Sequence, residues 1–97
     1  MFTAQARVLT PSASRYVAQL CKHWGHKFAV EYTADKGTIA FAGDRRCTLE
    51  AASDYLTMTI EAPDEGQLAR MEQVVVEHLR RFAFRENLSD VRWFSKA

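Results

Sequence analysis

The sequence predicts a two-layer α+β domain in which two helices pack on one face of an antiparallel sheet. Two stretches carry apolar residues at helical spacing, and between them lie four short stretches in which apolar and polar residues alternate. Short alternating strands separated by turn residues are typical of an antiparallel sheet with one dry face, on which amphipathic helices can bury their apolar stripes. The 97 residues suffice for one core, so residues 1–97 are predicted to form a single domain.

The chain opens with a strand followed by an amphipathic helix. Residues 2–9 alternate, and the apolar side chains on one face of this predicted strand are Phe2, Ala4, Ala6 and Val8. Thr10 is predicted to cap the helix, with Pro11 at its first position, where a missing N–H is tolerated. The buried stripe of the helix is predicted to contain Ala13, Tyr16, Val17, Leu20, Cys21 and Trp24. Gly25 is predicted to end the helix in the left-handed conformation.

Four strands are predicted to form a meander between residues 28 and 61. They cover 28–33, 38–42, 46–51 and 55–61, and turns are predicted at 35–37, 43–44 and 53–54. The second helix is predicted to open with residues 62–65, with Pro63 and two acidic residues in its first turn, and to run to about residues 84–85. Its buried stripe is predicted to contain Leu68, Met71, Val75, Leu79 and Phe82. Asn87 or Ser89 is predicted to end the helix, and residues 91–94 fit either a short edge strand or a tail laid on the core.

The predicted order is therefore β-α-β-β-β-β-α. This is the element order of the TATA-binding-protein-like fold, in which a curved sheet packs around a long C-terminal helix. A ferredoxin-like split βαβ arrangement is the alternative, and it explains four consecutive strands less well. The likeness concerns shape alone and implies no function.

Composition excludes several classes of protein. The net charge of +1 creates no general attraction for nucleic acid or anionic lipid, and no apolar run approaches the length that spans a bilayer. Two cysteines, Cys21 and Cys47, are too few for a disulfide framework. The protein is predicted to be cytoplasmic, with no nucleic-acid or membrane partner.

The stretch from Cys21 to Phe28 is the best candidate for a chemical site. Cys21, His23, His26 and Cys47 are of the ligand types that zinc or iron prefers. Against a ready-made metal site, residues two apart on a helix point about 200° apart, so Cys21 and His23 share an ion only if the last turn unwinds. The alternative is structural: both cysteines behave as small buried hydrophobes, and both histidines bond to groups at the helix end.

No residue is assigned a catalytic role, and the remaining candidates form surfaces. A ligand or partner could bind Lys22, Trp24 and Lys27 at the end of the first helix, or the polar face of the sheet through Arg7, Glu31 and Glu50. The same threonine-rich face could pair with a second copy of the chain, so a homodimer is a possible state.

Several short segments, finally, resemble one bacterial family. They are residues 6–8, 10–11 and 14–16, residues 20–24 and 26–28 of the junction, and residues 37–39, 47–51, 78–79 and 81–85. The family is classed as a domain of unknown function, twenty-two eighteen in that series. The resemblance implies a small cytoplasmic protein, encoded in some cases beside siderophore-interacting ferric reductases or fused to them. A non-enzymatic accessory or binding domain in siderophore or iron handling is therefore expected, with a small metal-binding or redox enzyme using the junction as the alternative.

Overall fold

The computed structural model describes residues 1–86, 88 and 91–96, and over these residues the chain forms one six-stranded antiparallel sheet and two helices. The elements are β1 (Phe2–Leu9), α1 (Ala13–Trp24), β2 (Ala29–Tyr32), β3 (Lys36–Phe41), β4 (Arg45–Ala51), β5 (Tyr55–Ala62), α2 (Glu65–Phe82) and β6 (Phe94–Lys96). The strand order is β2-β3-β4-β5-β1-β6. The two-layer α+β prediction is confirmed. Three strands separate β1 from β2, whereas the ferredoxin-like alternative requires a single strand between them.

Both helices contribute to a single core on one face of the sheet. That core joins the inward side chains of β1, β3, β4 and β5 to the apolar stripes of the helices. All six residues predicted for the stripe of α1 are buried. Val17, Leu20, Leu49, Met58 and Ile60 lose essentially all contact with water, and burial of such side chains is the main stabilising contribution to a small domain.

The start of α1 differs from the prediction. The helix begins at Ala13 with Ser12 in the capping position, and no side chain caps it. Thr10 lies two residues earlier and is buried; its Oγ1 accepts a hydrogen bond from the Ser12 backbone N–H at 3.1 Å and donates one to Glu86 Oε1 at 2.7 Å. Thr10 therefore joins the turn before α1 to the segment that follows α2.

The end of α1 also differs. Gly25 has φ −62° and ψ −15°, which is right-handed helical backbone and not the predicted left-handed conformation. The chain continues to turn, since the Lys27 and Phe28 N–H groups both donate to the Trp24 carbonyl, at 3.0 and 2.9 Å. This extra turn delays β2 to Ala29 and projects the side chains of residues 26–28 beyond the helix.

The meander is confirmed, but its first turn lies earlier in the chain than predicted. Residues 35–37 were predicted to form that turn, yet Lys36 and Gly37 already belong to β3 and pair with β4. Gly37 is buried beneath α1, where a Cβ atom would overlap Cys21 Sγ and lie 3.3 Å from Tyr32 Cβ. Glycine is needed here because helix and sheet approach too closely for a side chain. We call Cys21, Gly37 and Cys47 the thiol layer.

The second helix is shorter than predicted at both ends. It covers Glu65–Phe82, and Asp64 caps it by accepting a 2.8 Å hydrogen bond from the Gln67 N–H. Its stripe is buried as predicted, with Phe82 half-buried. The predicted terminators Asn87 and Ser89 lie outside the described residues. The C-terminal segment combines both predicted alternatives, because Leu88, Val91 and Trp93 pack against the core before β6 pairs with the outer side of β1.

Candidate ligand-binding site

A pocket of about 380 Å³ opens where the end of α1, the middle of α2 and the β3–β4 hairpin meet. We call it the junction pocket. Its lining consists of His23, Trp24, His26, Lys27, Phe28, Phe41, Arg45, Val74 and His78. Five of these residues come from the stretch that the sequence marked as the best candidate for a site. A volume of this size lies within the range of pockets that hold small organic molecules.

Aromatic rings form the apolar part of the pocket. Phe41 lies between Trp24 and Phe28, with ring centroids 5.2 and 4.8 Å away and edge-to-face geometry in both pairs. Trp24 is only 4% exposed and also contacts His78, at a centroid distance of 5.2 Å. Edge-to-face packing holds these rings in place, so the apolar wall is preformed.

Nitrogen-bearing side chains supply all the charge on the lining. They are His23, His26, Lys27, Arg45 and His78. None of the described residues that line the pocket carries a carboxylate. Arg45 is oriented by a 2.7 Å hydrogen bond from its Nε to the Ala42 carbonyl. The pocket is therefore cationic although the whole chain is nearly neutral, and its charge favours anions.

Two histidines face each other across the two helices. The ring centroids of His23 and His78 are 4.9 Å apart, and Phe82 contacts the other side of His23 at 5.9 Å. Desolvation by its neighbours lowers the pKa of His23; a positive charge on His78, whenever that ring is protonated, lowers it further, as does the charge of Arg81. His23 is therefore mostly neutral at neutral pH.

His78 has a defined tautomer. Its Nδ1 lies 2.7 Å from the carbonyl oxygen of Val74, one helical turn earlier. A carbonyl only accepts, so Nδ1 carries the proton, and in the neutral ring Nε2 presents a lone pair. Nε2 is the only polar atom of His78 that is left for a ligand.

The four residues predicted as metal ligands form no single group, although Cys21 and His26 both border a depression beside the junction pocket. His23 and His26 are exposed and line the junction pocket, whereas Cys21 and Cys47 are buried free thiols. Among the described residues, no three His, Cys, Asp or Glu side chains are grouped so that they could hold a metal ion. The structure does not bring the four residues together, because Cys21 and His23 project from different sides of α1.

The thiols are also poor nucleophiles. Burial raises the pKa of Cys21 to about 11. Burial raises the pKa of Cys47 as well, and a charge on neighbouring Cys21 would raise it further. Because the thiolate is the reactive and metal-binding form, both cysteines have the properties of the structural alternative.

The predicted surface residues fall into three places. Trp24 and Lys27 line the junction pocket, while Lys22 borders a neighbouring, more open depression with Gly25 and Tyr32. Arg7, Glu31 and Glu50 lie on the uncovered face of the sheet.

On that uncovered face Arg7 stacks over the Tyr55 ring at 4.3 Å. The register places Arg7 beside Thr57, and Thr57 beside Glu50, on adjacent strands. Glu31 lies at the far edge strand, β2, so the three residues form no single cluster.

Sequence reasoning did not assign Phe41, Arg45, Val74 or His78 to a site. A sequence pattern could have suggested Val74 and His78, since they lie one turn apart beside the buried stripe of α2. No sequence pattern could have suggested Phe41 and Arg45, because only the pairing of β3 with β4 directs them toward the end of α1.

Comparison with known proteins identifies the chain by family. A family model described as "Uncharacterized protein conserved in bacteria (DUF2218)" matches residues 5–94. The chain is similar to the solved structure titled "NMR structure of PA4090 from Pseudomonas aeruginosa", with 48% identity, a TM-score of 0.81, and coverage of 97% of this chain and 96% of that one. Comparison with curated proteins finds no match. No helix among the described residues is long and apolar enough to cross a membrane.

Proposed function

We propose that this chain, which belongs to the DUF2218 family of uncharacterized bacterial proteins, is a non-catalytic binding domain that takes an anionic aromatic molecule in the junction pocket. The observation that carries the proposal is the composition of the lining: three aromatic rings form one wall, and every charged or titratable group is a nitrogen. An aromatic ring would stack or pack on the wall, and a carboxylate or phenolate would pair with Lys27 and Arg45.

The proposal accommodates the expected link to iron. Catecholate siderophores and their ferric complexes are anionic and aromatic, so they belong to the class of molecule that the pocket suits. In that setting the protein would bind a siderophore, or a fragment of one, beside a siderophore-interacting ferric reductase.

The test uses the fluorescence of Trp24. Replacing Trp93 with phenylalanine leaves Trp24 as the single tryptophan, and this variant is titrated with 2,3-dihydroxybenzoate, with neutral catechol and with acetate. We expect 2,3-dihydroxybenzoate to alter the emission saturably and to bind more tightly than either simpler probe, since only it offers both ring and charge.

Charge reversal supplies the matched control. Lys27→Glu places a carboxylate in the lining and should weaken 2,3-dihydroxybenzoate binding at least about tenfold, equivalent to about 1.4 kcal/mol. Lys36→Glu makes the same change of net charge on the uncovered sheet face and should leave the affinity unchanged. Equal weakening by both variants, equal affinity for catechol, or an absence of saturable binding would each overturn the proposal.

A further inference from the structure

The hydrogen-bond donors and acceptors of the junction pocket specify the ligand more closely than the charge of the pocket does. Lys27 and Arg45 can only donate hydrogen bonds, and Trp24 has only an indole N–H to offer. These groups suit the oxygens of an anion. A ligand group that itself donates a hydrogen bond needs an acceptor, and none of the described lining residues has a carboxylate that could serve.

His78 provides that acceptor. Its Nδ1–H is committed to the Val74 carbonyl at 2.7 Å, and a histidine whose tautomer is set in this way presents Nε2 as a lone pair. The ring is held in place by the neighbouring rings of His23 and Trp24, whose centroids are 4.9 and 5.2 Å away. The acceptor therefore belongs to a ring fixed on three sides within the same pocket.

We propose that His78 is a specificity-determining residue whose Nε2 accepts a hydrogen bond from a hydroxyl on the ligand, so that the pocket selects hydroxyaryl anions over aryl anions without a hydroxyl. This inference rests on the proposed function and names the ligand class within it. The anionic group lies toward Lys27 and Arg45, the ring packs on Trp24 and Phe41, and the hydroxyl meets His78. Discrimination arises because an unmatched polar group in a partly buried site loses its hydrogen bond with water.

The experiment compares benzoate with 3-hydroxybenzoate and 4-hydroxybenzoate, and with 3-methoxybenzoate, in which the hydroxyl proton is replaced by methyl. Binding is followed by isothermal titration of the full chain at pH 7.5. We expect one hydroxybenzoate to bind about five- to tenfold more tightly than benzoate, which is the gain of one net hydrogen bond. The methoxy compound should show no such gain.

The variants measure the ratio of hydroxybenzoate to benzoate affinity. His78→Asn keeps an amide that can donate to the Val74 carbonyl but removes the acceptor at the Nε2 position, so the ratio should fall to about one whatever happens to benzoate itself. His78→Gln places an amide oxygen near the lost Nε2 and should restore part of the ratio. Glu77→Gln alters the preceding, exposed residue of α2, which is not part of the lining, and should keep the ratio.

The outcomes separate this inference from the proposed function. If benzoate and the hydroxybenzoates bind equally well to the wild type and both depend on Lys27, the role of His78 is overturned while the binding pocket stands. A ratio that His78→Asn leaves intact overturns the role of His78 in the same way. If no benzoate binds, both proposals are overturned.

Discussion

The thiol layer and the junction pocket begin at neighbouring residues of α1 and have opposite properties. Cys21 lies against Gly37 and beside Cys47, on the side of the helix that faces the sheet, and both thiols are almost completely buried. His23, two residues later, is exposed and faces α2 across a pocket lined with nitrogen-bearing side chains. The helix rotates about 100° per residue, so one short stretch serves core and surface at once.

This comparison shows that a cluster of reactive residue types in sequence need not be a cluster in space. Burial makes the two cysteines unreactive, while His23 contacts His78 from another helix. Three predictions test how sharply the two regions differ, and each concerns the residues of the thiol layer.

The largest effect is expected from Gly37→Ala. The added Cβ would overlap Cys21 Sγ, so α1 must shift away from β3, and such overpacking costs about 3 kcal/mol in the free energy of unfolding. Urea denaturation followed by circular dichroism measures the loss.

The double variant Gly37→Ala with Cys21→Ala provides the control for this prediction. Removing Sγ makes room for the new methyl group, so the double variant should be more stable than Gly37→Ala alone. If Cys21→Ala gives no such rescue, the close contact between Gly37 and Cys21 is not what limits this site.

A smaller effect is expected from Cys47→Ser when it is compared with Cys47→Ala. Both remove the sulfur from a position with no exposure, but serine also buries a hydroxyl, which costs about 1–3 kcal/mol when its hydrogen bonds are not replaced. Thermal unfolding of the two variants side by side measures the difference. Equal stability would mean that the thiol layer admits water or supplies a partner.

The smallest effect is the response of stability to alkaline pH. The pKa of Cys21 rises from its ordinary value of 9.0 to about 11 in the folded protein, and the pKa of Cys47 also rises. As pH rises toward 11 the unfolded chain releases protons that the folded chain retains, so stability should fall. The loss is small up to pH 9, about 0.4 kcal/mol per thiol, and above pH 9 it grows by at most about 1.4 kcal/mol per thiol per pH unit.

The double variant Cys21→Ala with Cys47→Ala isolates this contribution from other groups that titrate at alkaline pH. Its free energy of unfolding should fall less between pH 8 and pH 10 than that of the wild type. Parallel curves for the two proteins would show that the thiols ionise freely in the folded state.

Most of the fold could be predicted because its signals are local. The stripe from Ala13 to Trp24 and the alternation in β4 and β5 specify which faces are buried, and the structure confirms both. The errors lie at boundaries: at Thr10, Gly25 and Gly37, and at both ends of α2. Gly37 was assigned to a turn because glycine is common there, whereas it lies in a strand because a helix passes close above it.

Only the part of the junction pocket that α1 and the turn after it contribute could be predicted from the sequence. The stretch from Cys21 to Phe28 supplies His23, Trp24, His26, Lys27 and Phe28 to the junction pocket, since a helix end followed by an exposed turn projects its side chains together. Residues contributed by other elements could not be predicted, because no local pattern records which hairpin or helix will lie opposite.

Periodicity and turn residues act over a few neighbouring positions, and for that reason the two helices, the meander and their apolar faces could be predicted from the sequence. The enclosure of Cys21 and Cys47, and the approach of His78 and Arg45 to His23 and Lys27, follow from long-range packing. These contacts depend on how α2 and the β3–β4 hairpin pack against α1. They bring together residues more than 50 positions apart, such as His23 and His78, and only the packing of the whole core defines that distance.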